Sequence, residues 1–186
     1  SIVPQIYMAD LSPLNEHVND SLAVTGEAKI TLDADTLTIH VDAEGLQPGM
    51  HLQHFHGFKD TTTATCPTMQ QDANNDGIID LIETQAVSGV TLVPFHQNPA
   101  NLEIKAESYP MVGMDGKIRY EQKVAIDDLM SAMQEKYGIS DLNLEKRVVY
   151  IHGIPSDREL PETVQSLPGV PAQVTIPIAC GRFEAL

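Results

Sequence analysis

Alternating apolar and polar residues give the clearest pattern in the chain, in the segment GEAKITLDADTLTIHVDAEGL from Gly26 to Leu46. Side chains of a β-strand point alternately to its two faces, so apolar residues at every second position share one face. The segment therefore predicts two strands joined at Asp33–Asp35, a hairpin with one apolar face. His40 falls on the opposite face, which makes it a poor candidate for a metal ligand. The apolar positions are Ala28, Ile30 and Leu32 in the first strand and Leu37, Ile39 and Val41 in the second.

Four later segments also have the composition of short strands, because each is rich in β-branched residues and bounded by Gly, Pro or Asp. A succession of short strands is typical of a β-sandwich or barrel, so we expect an all-β fold. The stretch DLSPLNEHVND, residues 10–20, is polar and predicts a loop in which His17 is solvated. The four strand segments are SGVTLVPF (88–95), GKIRYEQKVAI (116–126), KRVVYIHGI (146–154) and PAQVTIPIAC (171–180).

One segment departs from the β pattern and predicts a single short helix. Its first turn is acidic, its last turn contains a lysine, and Gly138 follows directly, as is typical of helix ends. Its methionines share one stripe with aliphatic residues, so we assign them to packing rather than to metal binding. The apolar residues at helical spacing are Ile126, Leu129, Met130, Met133 and Tyr137.

The length and charge of the chain limit its classes of function. A chain of 186 residues with 42% hydrophobic residues predicts one domain covering residues 1–186. No apolar run approaches the ~20 residues needed to span a bilayer, so no membrane insertion is expected. The 26 acidic and 11 basic residues give a net charge of -15, which disfavours nucleic acid and favours cationic partners such as metal ions.

The segment DANNDGIIDLIE, residues 72–83, matches the twelve-residue calcium loop of an EF-hand. Gly77 falls at the sixth place, where the chain turns sharply, and Ile79 at the eighth place is expected to pack inward. Poor helix-forming sequence flanks the loop, so we expect a calcium loop inserted between two strands rather than an EF-hand domain. The alternative is an acidic turn that fits by chance. The predicted ligands are Asp72, Asn74, Asp76, the Ile78 carbonyl, Asp80 directly or through water, and Glu83 with two oxygens.

Three of the seven histidines lie in the short stretch HLQHFH, residues 51–56. Because His54 and His56 are two residues apart, a strand would point both imidazoles to one face. His51 falls on the other face and is better placed to hydrogen-bond than to ligate. His152, at the end of an apolar strand, and His96, in a Pro-bounded loop, are the remote histidines that would complete a site. Imidazole-rich sites without thiolate suit copper or zinc.

The chain has two cysteines, Cys66 and Cys180, which are far apart and outside any CxxC pairing. This spacing does not support a zinc ribbon or thioredoxin-like chemistry. The remaining interpretations of the two cysteines are a long-range disulfide or two buried free thiols. A disulfide would indicate an oxidising compartment.

Three segments resemble the copper/zinc superoxide dismutases. GLQPGMHLQHFHGF, residues 45–58, is similar to the family's stretch with three histidines, VVYIHGIP to its late copper-ligand strand, and IACGRF to its C-terminal segment. The order and spacing of the three agree. The resemblance implies a Greek-key β-sandwich or barrel, copper ligands at His54, His56 and His152, and a supporting role for His51. It also implies a Cys66–Cys180 disulfide.

The chain departs from this family at its second metal and at its substrate guide. FHQNP is similar to the segment with the family's bridging histidine, which implies that role for His96, but no histidine lies between His96 and His152 to build the zinc subsite. The family's guiding arginine, three residues before the last cysteine, is replaced by Pro177. Arg182 lies on the other side of the cysteine. The stretch YPMVGMDGKIRYEQ looks more like the CHRD domains, noncatalytic relatives of this sandwich.

Two functions are consistent with these features. The first is an extracytoplasmic (periplasmic, cell-surface or secreted), calcium-stabilised copper protein, either a copper-only dismutase or a copper carrier. Copper in that protein would alternate between Cu(II) and Cu(I). The second is a noncatalytic, calcium-stabilised binding or structural module of the CHRD type. Whether the protein is an enzyme stays open at this stage because a fold does not by itself fix a function.

Overall fold

The short β segments pair into one curled, antiparallel sheet of nine strands, with a separate two-stranded ribbon. The computed structural model describes residues 3–186. The strands are β1 (Gln5–Pro13), β2 (Thr25–Asp33), β3 (Thr36–Glu44), β4 (Gly49–Met50), β5 (Gln53–Gly57), β6 (Val90–Pro94), β7 (Met111–Val112), β8 (Ile118–Ala125), β9 (Val148–His152), β10 (Pro177–Arg182) and β11 (Glu184–Ala185). The helices are α1 (Leu81–Ser88), α2 (Ile126–Tyr137) and α3 (Ala172–Thr175), with single 3₁₀ turns at Glu16–Val18, Met69–Gln71, Pro99–Asn101, Ala106–Ser108 and Leu144–Lys146.

Strand β1 joins the two halves of the sheet, whose order is β6-β5-β9-β10-β1-β2-β3-β8, with β11 also on β1 and with β4 and β7 forming the ribbon. Residues Gln5 to Leu11 pair with β2, whereas Ser12 and Pro13 pair with β10. The predicted loop at 10–20 is therefore wrong for its first part. Ala9 and Leu11 are buried in the core, but of the strand residues 10–13 only Leu11 is buried, which is too short a pattern to predict a strand there.

The predicted hairpin is confirmed as β2 and β3. Asp33 pairs with Thr36, so the turn consists of Ala34 and Asp35, and Ala34 has the positive φ of 55° that such a tight turn requires. The apolar face is buried except at Leu32, which is half-buried. His40 points away from the core towards Glu121, with its Nε2 3.5 Å from a Glu121 carboxylate oxygen.

The helix content differs from the prediction. Helix α2 begins and ends where the sequence predicts, with Gly138 in the left-handed conformation at its C-terminal end. A single helix is nevertheless wrong, because α1 begins where Asp80 and Glu83 form a capping box. Helix α3 occupies the first part of the predicted strand 171–180, and the strand starts only at Pro177.

The disulfide between Cys66 and Cys180 is confirmed, which excludes the two free thiols. It ties the loop after β5 to β10 across 114 residues of sequence. No helix within residues 3–186 is long and apolar enough to cross a membrane.

Removing this disulfide is expected to lower the free energy of unfolding by about 4–5 kcal/mol, because the crosslink limits the entropy of a long unfolded loop. The change is Cys66→Ala together with Cys180→Ala, measured by urea denaturation against the oxidised parent. Equal denaturation midpoints with equal slopes would contradict the expectation.

Candidate metal centres

The pairing of β5 with β9 brings three histidines to one face of the sheet. His54 pairs directly with Tyr150, and the backbone N–H of His152 donates to the Leu52 carbonyl at 2.8 Å. Cross-strand partners point to the same side, and so do residues two apart along a strand. His54, His56 and His152 therefore converge, with ring centroids 5.5 to 5.8 Å apart.

The nitrogen atoms that these three rings present to one another have no hydrogen-bond partner. One nitrogen from each ring lies within 4.8 Å of the other two. The rings are 1–2% exposed, and Nδ1 of His54, Nε2 of His152 and both nitrogens of His56 are unpaired. Buried polar atoms normally have partners, so converging unpaired lone pairs are the expected property of a metal site.

Hydrogen bonds from outside the group fix the orientation of two of the rings. His152 Nδ1–H donates to the Thr175 carbonyl at 2.9 Å, which directs Nε2 inward. His54 Nε2 lies 2.6 Å from the Tyr109 hydroxyl, which directs Nδ1 inward. Partners of this kind are typical of metal-ligating histidines because they hold both tautomer and ring direction. Neither Tyr109 nor Thr175 carries a sequence signal that would have identified it.

The three imidazoles are held neutral. Burial, followed by repulsion from His152, lowers the pKa of both His54 and His56 well below the usual value. Burial also lowers the pKa of His152 to about 4, although its hydrogen bond to Thr175 opposes the shift. Because a metal binds the neutral imidazole, no proton has to leave the site near pH 7 before a metal can bind.

His51 lies behind the group and contacts the backbone. Its Nδ1 is 2.9 Å from the His152 carbonyl and its Nε2 is 2.7 Å from the Gln47 carbonyl. Gly153 packs against this ring, and a Cβ at Gly153 would lie 3.1 Å from His51 Nδ1. His51 thus connects the segment before β5 to the end of β9.

His96 is buried next to the group but is not one of its members. Its Nε2–H donates to the Glu103 carbonyl at 2.8 Å, and its Nδ1 accepts from the Asn98 N–H at 3.1 Å. Both nitrogens are therefore occupied, unlike those that face the group. The ring packs edge-on against Tyr109, with centroids 5.1 Å apart, so His96 supports the hydroxyl that orients His54.

A cavity of about 280 Å³ reaches His56. Lys59 and Lys136 line it, and both ammonium groups lie over the Tyr137 ring, at 5.8 and 5.5 Å from its centroid. Pro177, which stands where the resemblance implies an arginine, pairs with His152 at the start of β10. Position 177 therefore contributes no positive charge, whereas Lys59 and Lys136 place two positive charges at the cavity.

A second group of metal-binding character lies in the acidic loop between β5 and α1. Carboxylate oxygens of Asp72, Asp76 and Glu83 lie within 4.8 Å of one another. Asp72 is 9% exposed and its Oδ1 has no partner, whereas its Oδ2 accepts from the Gly77 N–H at 2.9 Å. Gly77 has a φ of 83°, so glycine meets the backbone requirement of the sharp turn.

The other predicted calcium ligands have separate contacts. Asn74 Oδ1 accepts from the Asp76 N–H at 3.2 Å. Asp80 lies outside the carboxylate group, because its two oxygens accept from the N–H groups of Glu83 and Gln165, each at 2.9 Å. Ile78 donates its N–H to Asp76 Oδ1 at 2.9 Å, and its side chain is buried.

Glu83 closes the loop at the start of α1. Its two carboxylate oxygens accept from the N–H groups of Asp80, at 3.0 Å, and Ala73, at 2.6 Å. Burial, and secondarily the charge of Asp80, raise its pKa, while these backbone hydrogen bonds oppose the shift. A cation among the carboxylates would relieve this repulsion.

Asn15 attaches the acidic loop to the sheet and had no sequence signal. Its side-chain amide accepts from the Ile79 N–H at 3.0 Å and donates to the Ile79 carbonyl at 2.9 Å and the Pro177 carbonyl at 2.8 Å. The amide therefore pairs with Ile79 as a neighbouring strand would. Ile79 itself is buried, as the loop pattern predicts.

No protein-family model matches the chain, and no curated protein matches it. The resemblance to the copper/zinc superoxide dismutases therefore stays a prediction. The function of the protein has to be inferred from the chemistry of these two groups of side chains.

Proposed function

We propose that the protein is an extracytoplasmic copper-binding protein with a structural calcium site. His54, His56 and His152 hold the copper, and Asp72, Asn74, Asp76, the Ile78 carbonyl and Glu83 hold the calcium. Asp80, whose two oxygens accept backbone N–H groups, reaches the calcium through water. The observation that carries this proposal is the convergence of unpaired, buried nitrogens from three neutral imidazoles. A Greek-key arrangement of the dismutase type belongs to the same proposal.

The donor atoms favour copper at the histidine group. Neutral imidazole suits both copper and zinc, but affinity for divalent metals of the first row is highest for Cu²⁺. A structural zinc site is disfavoured, because such a site uses four protein ligands, whereas three imidazoles converge among residues 3–186 and His96 has both nitrogens occupied. Bound copper would supply one-electron exchange. Tyr109 and Thr175 would hold His54 and His152 in orientation, and β5 would hold His56.

Three observations bear on whether the site is catalytic. A cavity lined by Lys59 and Lys136 reaches His56 and would attract a small anion such as superoxide. Pro177 in place of the guiding arginine and the net charge of -15 favour a carrier, or a noncatalytic module of the CHRD type. A dismutase assay on the copper-loaded protein separates these alternatives, because a dismutase turns superoxide over and a carrier or a noncatalytic module does not.

Copper binding is expected to require His152. We predict that the untagged protein binds one equivalent of Cu²⁺. Loss of a ligand's hydrogen-bond partner lowers metal affinity about 10- to 100-fold. His152→Gln removes the ligand itself, so we expect a larger loss of copper affinity. Competition with a chromophoric chelator, together with electron paramagnetic resonance, measures the affinity and the nitrogen ligands.

His17→Gln is the matched control, since His17 is exposed and far from the site in sequence. It is expected to bind copper as the parent does. Equal affinity in His152→Gln, or no bound copper in the parent, would remove the histidine site and leave the noncatalytic module as the better function.

Calcium is expected to stabilise the protein through the acidic loop. An all-oxygen donor set around a sharp turn suits this hard cation. At a calcium concentration ~100 times its dissociation constant, the free energy of unfolding should rise by about 2.7 kcal/mol. Glu83→Gln should abolish the increase, because glutamine keeps an oxygen for the helix cap but loses the charge and the second oxygen. Thermal unfolding with and without calcium measures both.

Glu107→Gln serves as the control for this measurement, because Glu107 is an exposed carboxylate outside the loop. It should respond to calcium as the parent does. An unchanged melting temperature of the parent in calcium and in calcium-free buffer would show that the acidic turn is not a site.

A further inference from the structure

One short segment of the chain contacts the acidic loop at three points. The Thr163 hydroxyl donates to Asp76 Oδ2 at 2.9 Å, and the Thr163 carbonyl accepts from Asn74 Nδ2 at 3.0 Å. The Gln165 N–H donates to Asp80 Oδ2 at 2.9 Å. These three loop residues occupy the third, fifth and ninth places of the proposed calcium loop. The conformation of the acidic loop therefore sets the position of residues 163–165.

The next residue connects this segment to the histidine group. The Ser166 hydroxyl lies 2.9 Å from the Thr175 hydroxyl, and Thr175 is 1% exposed. The carbonyl of the same Thr175 accepts the Nδ1–H of His152. A continuous path therefore runs from Asp76, through Thr163 and Ser166, to the residue that orients His152.

Asn15 provides a second connection between the same two places. It is hydrogen-bonded to Ile79, at the eighth place of the loop, and to the Pro177 carbonyl. Pro177 pairs with His152 where β10 meets β9. Both connections end at His152, and neither passes through His54 or His56.

We propose that calcium in the acidic loop raises the affinity of the histidine group for copper. This inference rests on the function proposed above. Without calcium, Asp72, Asp76 and Glu83 repel one another, so the loop holds Thr163 and Gln165 less firmly. Ser166 then holds Thr175 less firmly, and the carbonyl that orients His152 loses its fixed position.

The expected size of the effect follows from the loss of a ligand's hydrogen-bond partner, which lowers metal affinity about 10- to 100-fold. Coupling between two binding sites is reciprocal, so copper must raise the affinity for calcium by the same factor as calcium raises the affinity for copper. Two independent titrations therefore have to agree. If each ion had only a structural role, neither ion would change the affinity for the other in either titration.

The test measures calcium affinity by calorimetry, in calcium-depleted buffer, for metal-free protein and for protein loaded with one equivalent of Cu²⁺. Calcium chelators are left out because they also bind copper. We expect copper loading to raise the calcium affinity about 10-fold or more. The reciprocal titration follows copper affinity, with glycine as competitor, at zero and saturating calcium, and should give the same factor.

Variants of Ser166 identify the path. Ser166→Ala removes the hydroxyl between the segment and Thr175 but no proposed ligand, so it should bind both ions with reduced coupling between them. Ser166→Thr keeps a hydroxyl and should retain the coupling. Ser131→Ala is the matched control, since Ser131 is an exposed serine of α2 and should leave the coupling unchanged. Circular dichroism confirms that each variant is folded.

Equal calcium affinity with and without copper overturns the coupling while leaving the proposed function in place. Full coupling in Ser166→Ala overturns the path through Thr175. Failure of copper to bind at either calcium concentration removes both the proposed function and the inference that rests on it.

Discussion

The antiparallel pairing of β5 with β9 is the constraint on which the rest of the histidine group depends. A strand by itself can place His54 and His56 on one face, but it cannot supply a third imidazole. The register that sets His54 opposite Tyr150 also sets His152 beyond the end of β5, on the same face. Because successive residues of a strand alternate faces, a slip of one residue in the pairing would turn His152 away from the other two.

Burial gives this arrangement its chemical character. Three imidazoles close together in water would titrate near neutral pH, but here burial keeps them neutral and leaves their inward nitrogens unpaired. Unpaired buried polar atoms destabilise a fold unless something binds them. The outer hydrogen bonds, from His152 to Thr175 and between His54 and Tyr109, prevent the rings from turning to find other partners.

The features predicted correctly from sequence are those whose physical cause is local. The β2–β3 hairpin follows from period-two alternation across a short turn, and α2 follows from a stripe and caps within one segment. Strand β1 and helix α3 depend on distant partners. The β1 residues before Ser12 pair with β2, and its last two residues pair with β10. In α3, Thr175 contacts His152, which is 23 residues earlier in the chain. No local pattern encodes such contacts.

The same distinction applies to the two candidate sites. The acidic loop contains all its predicted ligands within residues 72–83, so spacing alone predicts it, whereas the histidine group needs two strands and two outer partners, Tyr109 and the α3 residue Thr175. His96 illustrates the limit: its sequence context suggests a ligand, but a backbone carbonyl and a backbone N–H already occupy its nitrogens.

The two sites differ in donor chemistry, and this difference decides whether they can work together. Oxygen ligands suit the hard calcium ion, and imidazole nitrogens suit copper, so neither donor set prefers the other's ion. The hydrogen bonds of residues 163–166 can therefore join the sites without either metal displacing the other. If one donor type had served both sites, the metal with the higher affinity would have filled both, and occupancy of one site could not have reported on the other.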